Sequence, residues 1–369
     1  MLRDSATGFT NAKCDFQQLR ALRREPTVVN LDRDFWQECV AMGWPAIPFA
    51  ETDGGLGLGY AELGVIAEEL GRNLLHTPML STVVLAGSVI DLAASGSQKI
   101  ELLRGIVDGS TLYGFACQEG PNHHLKQIDT SLVPDRSGFR LSGRKVLVLD
   151  GGIADRLLVL ARLKTADDEP GELALVLVDA DTGGINRKNN LLLDGRYAAN
   201  IDFDNVPVSE SHLLIVGDRV SPIVDQVFDR AAVYLAAEML GGIQESFDRT
   251  LEYLRTREQF GVKIGSFQGL KHRAARWFCE VELSRSIVLE ALRALDDQAD
   301  DGALLASTCK ARVSDTYLLS GREGIQMHGG IGVTDEHDIG LFMKHAQVTA
   351  SLFGDAVFHR QRFAELKGY

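Results

Sequence analysis

The chain has no excess of basic residues: 38 Lys and Arg stand against 51 Asp and Glu, a formal net charge of −13. A nucleic-acid surface needs a basic face, so this balance argues against such a partner. Any phosphate-bearing ligand must then be met by local Arg or Lys, not by a global field. Long apolar runs are missing. Leu157-Leu-Val-Leu-Ala161 is far too short to span a bilayer, and no membrane role is expected. No apolar segment of secretory type follows Arg3 and Asp4. The five cysteines (Cys14, Cys39, Cys117, Cys279 and Cys309) are scattered, odd in number and without metal-ligand spacing. No metal site is expected, and the plain reading is a reduced, cytoplasmic protein. Internal repeats and low-complexity tracts are also missing.

What is there fits a globular chain of two or three domains: 369 residues, 45% hydrophobic and 24% charged. The first part, 1–110, reads as helical. Phe35 to Val40 and Tyr60 to Leu70 are amphipathic, and the glycine-rich stretch 51–59 between them reads as a connecting loop. The second part, 111–217, changes period. Short runs at 112–116, 138–142, 145–149, 157–161, 173–178 and 200–203 alternate with Gly, Asp, Asn and Pro, which suits a small antiparallel β-barrel or sandwich. The third part, 218–369, carries apolar stripes at steps of three and four. One is Leu240, Ile243, Phe247, Leu251 and Leu254; a second runs from Ala274 to Leu295, a third from Leu305 to Tyr317. With residues 338–364 as a fourth helix, this is a four-helix bundle. The expected class is α+β: helical domain, central barrel, helical bundle.

Two stretches carry a signature. Arg257-Glu-Gln-Phe-Gly261 runs on to Phe267-Gln268, and Gln326-Met-His-Gly-Gly-Ile-Gly332 follows. Together with the order of the three parts, they resemble the flavin-dependent acyl-CoA dehydrogenases over nearly the whole chain. The resemblance implies that Arg257 contacts the FAD diphosphate, that Phe260 and Gln268 hold the adenine end, and that Gln326, Gly329 and Gly330 close over the same diphosphate. An Arg fork suits phosphate oxygens, and glycine lets backbone N–H groups approach an anion. In that family these residues serve FAD bound largely by a neighbouring subunit, which implies an oligomer.

Three sites depart from the family. The catalytic glutamate, counted from His328, falls on Phe353 within Leu352-Phe-Gly-Asp355; Asp355 is the fallback carboxylate. The alternative base and a nearby arginine on the first bundle helix fall on Ala231 and Ala232, while Asp229 matches an aspartate that touches the CoA portion. The flavin-side segment reads Cys117-Gln-Glu-Gly-Pro-Asn-His-His124, where only Glu119 matches; His123 and His124 read as a polar loop. The Trp-Ile-Thr triplet that faces the flavin ring is Leu147-Val148-Leu149.

The adenine-diphosphate half of the site is kept, and the ring half and the base are lost. This pattern implies a subunit without its own catalytic base in a heteromeric acyl-CoA dehydrogenase. A catalytic sister chain, an acyl-CoA substrate, with a steroid-derived acyl group as the family analogy suggests, and an electron-transfer flavoprotein would be its partners. Two other readings stay open: an active homo-oligomer using Asp355 or another carboxylate, and a flavin monooxygenase or oxidase on the same fold.

Overall fold

The computed structural model describes residues 1–24, 32–121, 123, 128–136, 138–164 and 171–369. They form two compact units, each assembled from separated segments: Met1–Ala21, Tyr60–His76 and Ala232–Tyr369 in the first, Leu22–Gly59 and Thr77–Ala231 in the second.

The N-terminal helices are α1 (Leu2–Lys13), α2 (Phe16–Arg24), α3 (Arg33–Ala41), α4 (Tyr60–Arg72), α5 (Gly87–Ala93) and α6 (Gly96–Val107), with a π-helical stretch at Met79–Ala86. Eight strands follow: β1 (Tyr113–Ala116), β2 (Ser131–Asp135), β3 (Gly138–Leu149), β4 (Arg156–Leu163), β5 (Leu173–Asp179), β6 (Ile185–Leu191), β7 (Tyr197–Val208) and β8 (Leu213–Val216). They form one sheet in the order β6-β7-β3-β2-β4-β5-β8, with β1 also on β4. The expectation of a closed antiparallel barrel is corrected here. Among the described residues β6 and β8 are not paired to each other, and both β1 and β2 run parallel to β4, so the sheet is mixed and open. The short β8 and the polar β6 blunt the two edges. Leu157–Ala161 and Ala174–Val178 are buried without alternation, which marks β4 and β5 as the strands covered on both faces.

The C-terminal helices are α7 (Val220–Thr256), α8 (Gln268–Asp296), α9 (Gly302–His328), α10 (Ile339–Ser351) and α11 (Ala356–Leu366). A two-strand hairpin, β9 (Glu258–Gln259) and β10 (Val262–Lys263), joins α7 to α8. The expected fourth helix is two helices, because Phe353 and Gly354 take φ +60° and +99° and neither can be helical. Glycine is needed at 354, where a Cβ would lie 2.3 Å from the Phe358 ring.

Within the first unit, α4 and α7 meet backbone to backbone. A Cβ on Gly71 would lie 1.8 Å from the Glu238 carbonyl, and one on Gly241 would lie 1.8 Å from the Glu68 carbonyl. Arg72 closes this contact on the outside with Glu245 (3.0 Å) and Asp248 (3.2 Å). Three bundle helices share a buried polar chain: the Tyr317 hydroxyl lies 2.8 Å from His345 Nδ1, and His345 Nε2 lies 2.9 Å from Glu238. Buried polar groups in such a chain satisfy one another and fix the relative rotation of the helices.

Candidate functional site

Arg257 follows the last residue of α7. Its N–H donates to the Tyr253 carbonyl (2.9 Å) and its carbonyl accepts from Ile264 N–H (2.9 Å), so the backbone is anchored while the guanidinium is exposed. The hairpin tip is Phe260-Gly261, with φ +54° and +79°. A two-residue hairpin turn of the primed type requires positive φ at both positions, which a bulky side chain resists by about 1–2 kcal/mol. Phe260 accepts that strain while 92% exposed; its ring meets only the edge of Phe267, at 6.2 Å, among the described ring contacts. Gln268 opens α8 and is exposed, and the cap residue Phe267 offers no side-chain acceptor to the first N–H groups of that helix. Such an end favours an anion.

Gln326 lies in the last turn of α9 and is exposed, as are Gly329 and Gly330. Gly329 sits at φ +65° and ψ −140°, a conformation that only glycine adopts readily. No atom lies within 4 Å of a Cβ built on either glycine, so the backbone is open to close approach by a ligand. The two stretches are joined by one stack: Tyr253, one turn before Arg257, lies 4.4 Å from the ring of His328, one residue before Gly329. The exposed guanidinium and the uncapped helix start supply donors, and the open glycine backbone leaves room, in a combination that fits a diphosphate.

The turn at the expected base position is held from below. Lys310, on α9, is fully buried, and its Nζ donates to the Ala350 carbonyl (3.1 Å), the Gly354 carbonyl (3.0 Å) and the Ser314 hydroxyl (3.2 Å). Burial pushes its pKa down to about 7, against the attraction of Asp355. His359 Nε2 meets the Phe353 carbonyl at 3.1 Å. Asp355 caps α11, accepting from Phe358 N–H at 2.8 Å, and faces solvent. Its carboxylate therefore already has a structural task. Ala231 and Ala232 are buried on α7, and Asp229 is buried one turn earlier.

On the sheet, Glu119 accepts from Lys145 Nζ (2.6 Å) and from the N–H groups of Asp129 (2.6 Å) and Thr130 (3.0 Å). It ties both ends of the 119–129 segment to β3. His123 lies edge-on to Phe228, with ring centroids 4.7 Å apart; His124 lies outside the described residues. The Leu147-Val148-Leu149 triplet sits on a bulge. The pairing steps from Lys145–Ile201 to Val148–Ala199, and Leu147 takes φ +54° with 37% of its surface exposed. Bulges re-aim a side chain, but the one presented here has neither an aromatic face nor a hydroxyl, so it does not fit a flavin ring.

Sequence reasoning missed Asp150. It follows β3 at φ +53°, takes a 2.5 Å hydrogen bond from the Ser81 hydroxyl on the π-helical stretch, and burial raises its carboxyl to about 6. An Asp directly after an apolar strand end was the available signal. The missed π-helix had none, because its eight apolar and hydroxyl residues also suit an ordinary helix.

Helical layer, open mixed sheet and bundle define the class: the fold of the flavin-dependent acyl-CoA oxidoreductases. The acyl-CoA dehydrogenase N-terminal domain model matches residues 1–110, and the acyl-CoA dehydrogenase C-terminal domain model matches residues 222–366. A variant of the Tcur3481–Tcur3483 steroid ACAD superposes with a TM-score of 0.86 at 30% identity, over 100% of this chain and 96% of that one. Acyl-CoA dehydrogenase IpdE2 of Mycobacterium tuberculosis is 28% identical over 324 residues, 87% of this chain and 82% of the relative. The ChsE4–ChsE5 complex from Mycobacterium tuberculosis shares the fold, at a TM-score of 0.85 and 22% identity, over 100% of this chain and 96% of that one. The chain belongs to the acyl-CoA dehydrogenase family. Among the described residues no helix is long and apolar enough to cross a membrane.

Proposed function

We propose that this chain is the subunit without a catalytic base in a heteromeric acyl-CoA dehydrogenase, and that it lends the diphosphate half of an FAD site to a catalytic sister chain. The observation that carries this is the split between the two half-sites. Arg257, Phe260, Gln268, Gln326, Gly329 and Gly330 all point outward and are unused by their own chain's core. Phe353, Ala231 and Ala232 carry no carboxylate, and the nearby Asp355 caps a helix. A base must reach the proton it removes, and a capping carboxylate on the solvent side is poorly placed to do so.

When bound at the interface, FAD would supply the hydride acceptor for α,β-dehydrogenation of an acyl-CoA thioester. This chain's part is electrostatic: Arg257 pairs with diphosphate oxygens, and the open backbone at Gly329 and Gly330, whose Gly329 N–H already caps α9, lets the same anion approach closely. The 30%-identical steroid ACAD suggests a steroid-derived acyl group, and its two-component name suggests a heteromer. An electron-transfer flavoprotein would take the electrons onward. The test is expression with and without the sister chain. Alone, the chain should purify without visible flavin absorbance and without acyl-CoA-dependent dye reduction. Stoichiometric flavin and turnover in the isolated chain would defeat the proposal in favour of an active homo-oligomer.

A further inference from the structure

The segment from Gly329 to Asp338 is flanked by a cluster of three rings, one pair stacked and the second imidazole tilted against it at 53°. Tyr253 of α7 lies 4.4 Å from His328 at an interplanar angle of 28°, and His328 lies 4.5 Å from His337. Tyr253 and His337 are 6.3 Å apart, edge to face. Both imidazoles have one nitrogen committed. His328 Nδ1 lies 2.7 Å from the Gly324 carbonyl, so it carries the proton and donates. His337 Nδ1 lies 3.2 Å from Ile339 N–H, so there it must be the bare acceptor. That N–H is an orphan of the first turn of α10, and Asp338 provides it no side-chain cap.

Among the described residues, the charged groups that face the pair come from α2, α7, α10 and the segment itself. Arg249 of α7 pairs with Asp338 at 2.9 Å and with Glu245 at 2.8 Å. Arg20 of α2 also pairs with Asp338 and donates to the carbonyls of Asp335 (2.7 Å) and Glu336 (3.2 Å). Lys344 of α10 reaches Asp335 at 3.3 Å. Asp338 is thus shared by two guanidiniums and has little left to offer a protonated His337.

We propose that Tyr253, His328 and His337 form a proton-sensitive latch that keeps the 329–338 segment closed near neutral pH and releases it in mild acid. A proton on His337 Nδ1 removes the acceptor for Ile339 N–H. It also places a cation against the His328 ring and beside Arg249 and Arg20. Burial, Arg249 and Arg20 hold His337 below the ordinary histidine value against the pull of Asp338; burial and His337 hold His328 down against its bond to Gly324. Both groups are therefore neutral in the closed segment, and the closing free energy is complete above the unperturbed value of about 6.5 and declines as pH falls below it. The consequence for function rests on the reading of Gly329 and Gly330 as a diphosphate cradle: mild acid would open the cradle and release the sister chain's FAD.

Amide hydrogen exchange of the full chain tests the latch without any cofactor. With intrinsic exchange corrected, amides 330–339 should exchange about tenfold faster near pH 5.5 than near pH 7.5. In His337→Asn, the amide oxygen takes the place of Nδ1 as acceptor and has no proton to gain, so protection should be equal at the two pH values. Equal protection in the wild type, or an undiminished acid step in His337→Asn, would overturn the latch. If that variant does not fold, the His337 ring titration followed by NMR in the wild type must lie below about 6.5, where the acid-driven loss of protection levels off; a ring that titrates at or above about 6.5 overturns it too. In the reconstituted complex, FAD should be lost in mild acid from the wild type and kept by His337→Asn. Equal loss from both overturns the coupling to the cradle, while the exchange experiment still judges the latch itself.

Discussion

Phe260 and Lys310 show the same economy from opposite sides of the surface. Phe260 accepts a strained backbone with almost no packing in return, which is what a side chain meant for a neighbour looks like. Its companion Arg257 makes the simplest test of the proposal that an FAD site is shared. Arg257→Ala in the complex should weaken FAD retention at least tenfold, since a charge-assisted bond to phosphate contributes about 1.5–3 kcal/mol, and leave this chain's melting temperature unchanged. Unchanged FAD affinity would reduce Arg257 to a helix-end cation. Lys310 is inward. Its depressed pKa, about 7 against 10.5, means the unfolded chain binds more protons above neutrality, so this group makes stability rise with pH from about 7 upward. Lys310→Met should leave the Ala350 and Gly354 carbonyls without their donor and cost about 2 kcal/mol near pH 7. It should also flatten the rise in melting temperature between pH 7 and pH 8.5, a range kept below the ordinary thiol value of 9.0, above which Cys117 and Cys309, both pushed by burial to about 12, would lower stability as pH rises. A wild-type slope that persists in the variant would assign the rise to another group.

At the scale of elements, the α4–α7 contact is the least forgiving feature of the bundle unit. Gly71 and Gly241 face each other's neighbouring carbonyls, so no side-chain motion can make room for a Cβ. Gly241→Ala should lower stability by about 3 kcal/mol or more, read as a fall in denaturation midpoint, with the same direction for Gly71→Ala. Legibility in the sequence followed the same physics. The long helices were readable because their apolar stripes repeat at steps of three and four over roughly four to six turns, and the doubly buried strands β4 and β5 because their apolar runs have no other use. β2, β6 and β8 were not: Pro134 interrupts the first, Asn and Lys dominate the second, and the third is four residues long. Barrel closure was misjudged for that reason, since only the edges decide it. The break after α10 hides inside an apolar pattern that continues through Leu352 and Phe353, and only Gly354 hints at it. The residues proposed to meet the diphosphate stood out in the sequence because an anion constrains the residue types that can face it. The latch histidines were not, because a ring stack between α7, α9 and the start of α10 leaves no mark in local spacing.

For the whole molecule, the proposed reading sets a kept diphosphate half against a lost ring half, and on that reading replacing one residue cannot restore an active site. Phe353→Glu would return a carboxylate to the turn between α10 and α11, above the buried Lys310 and beside the His359 contact. Removing an α-proton is productive only if hydride leaves at the same time. That requires a flavin ring held over the β-carbon, and the bulge at Leu147 presents an aliphatic side chain where a ring and a hydroxyl would be needed. The isolated variant should therefore remain inactive in acyl-CoA-dependent dye reduction with added FAD. Its stability should change little or fall, because position 353 is only half-buried and a carboxylate there trades apolar contact for solvent. The informative comparison is with the complex, where the sister chain's activity should be insensitive to the same substitution. Robust turnover by the isolated Phe353→Glu chain would show that the sheet still holds a flavin ring, and would move this protein from lender of a half-site to an enzyme one residue short of its base.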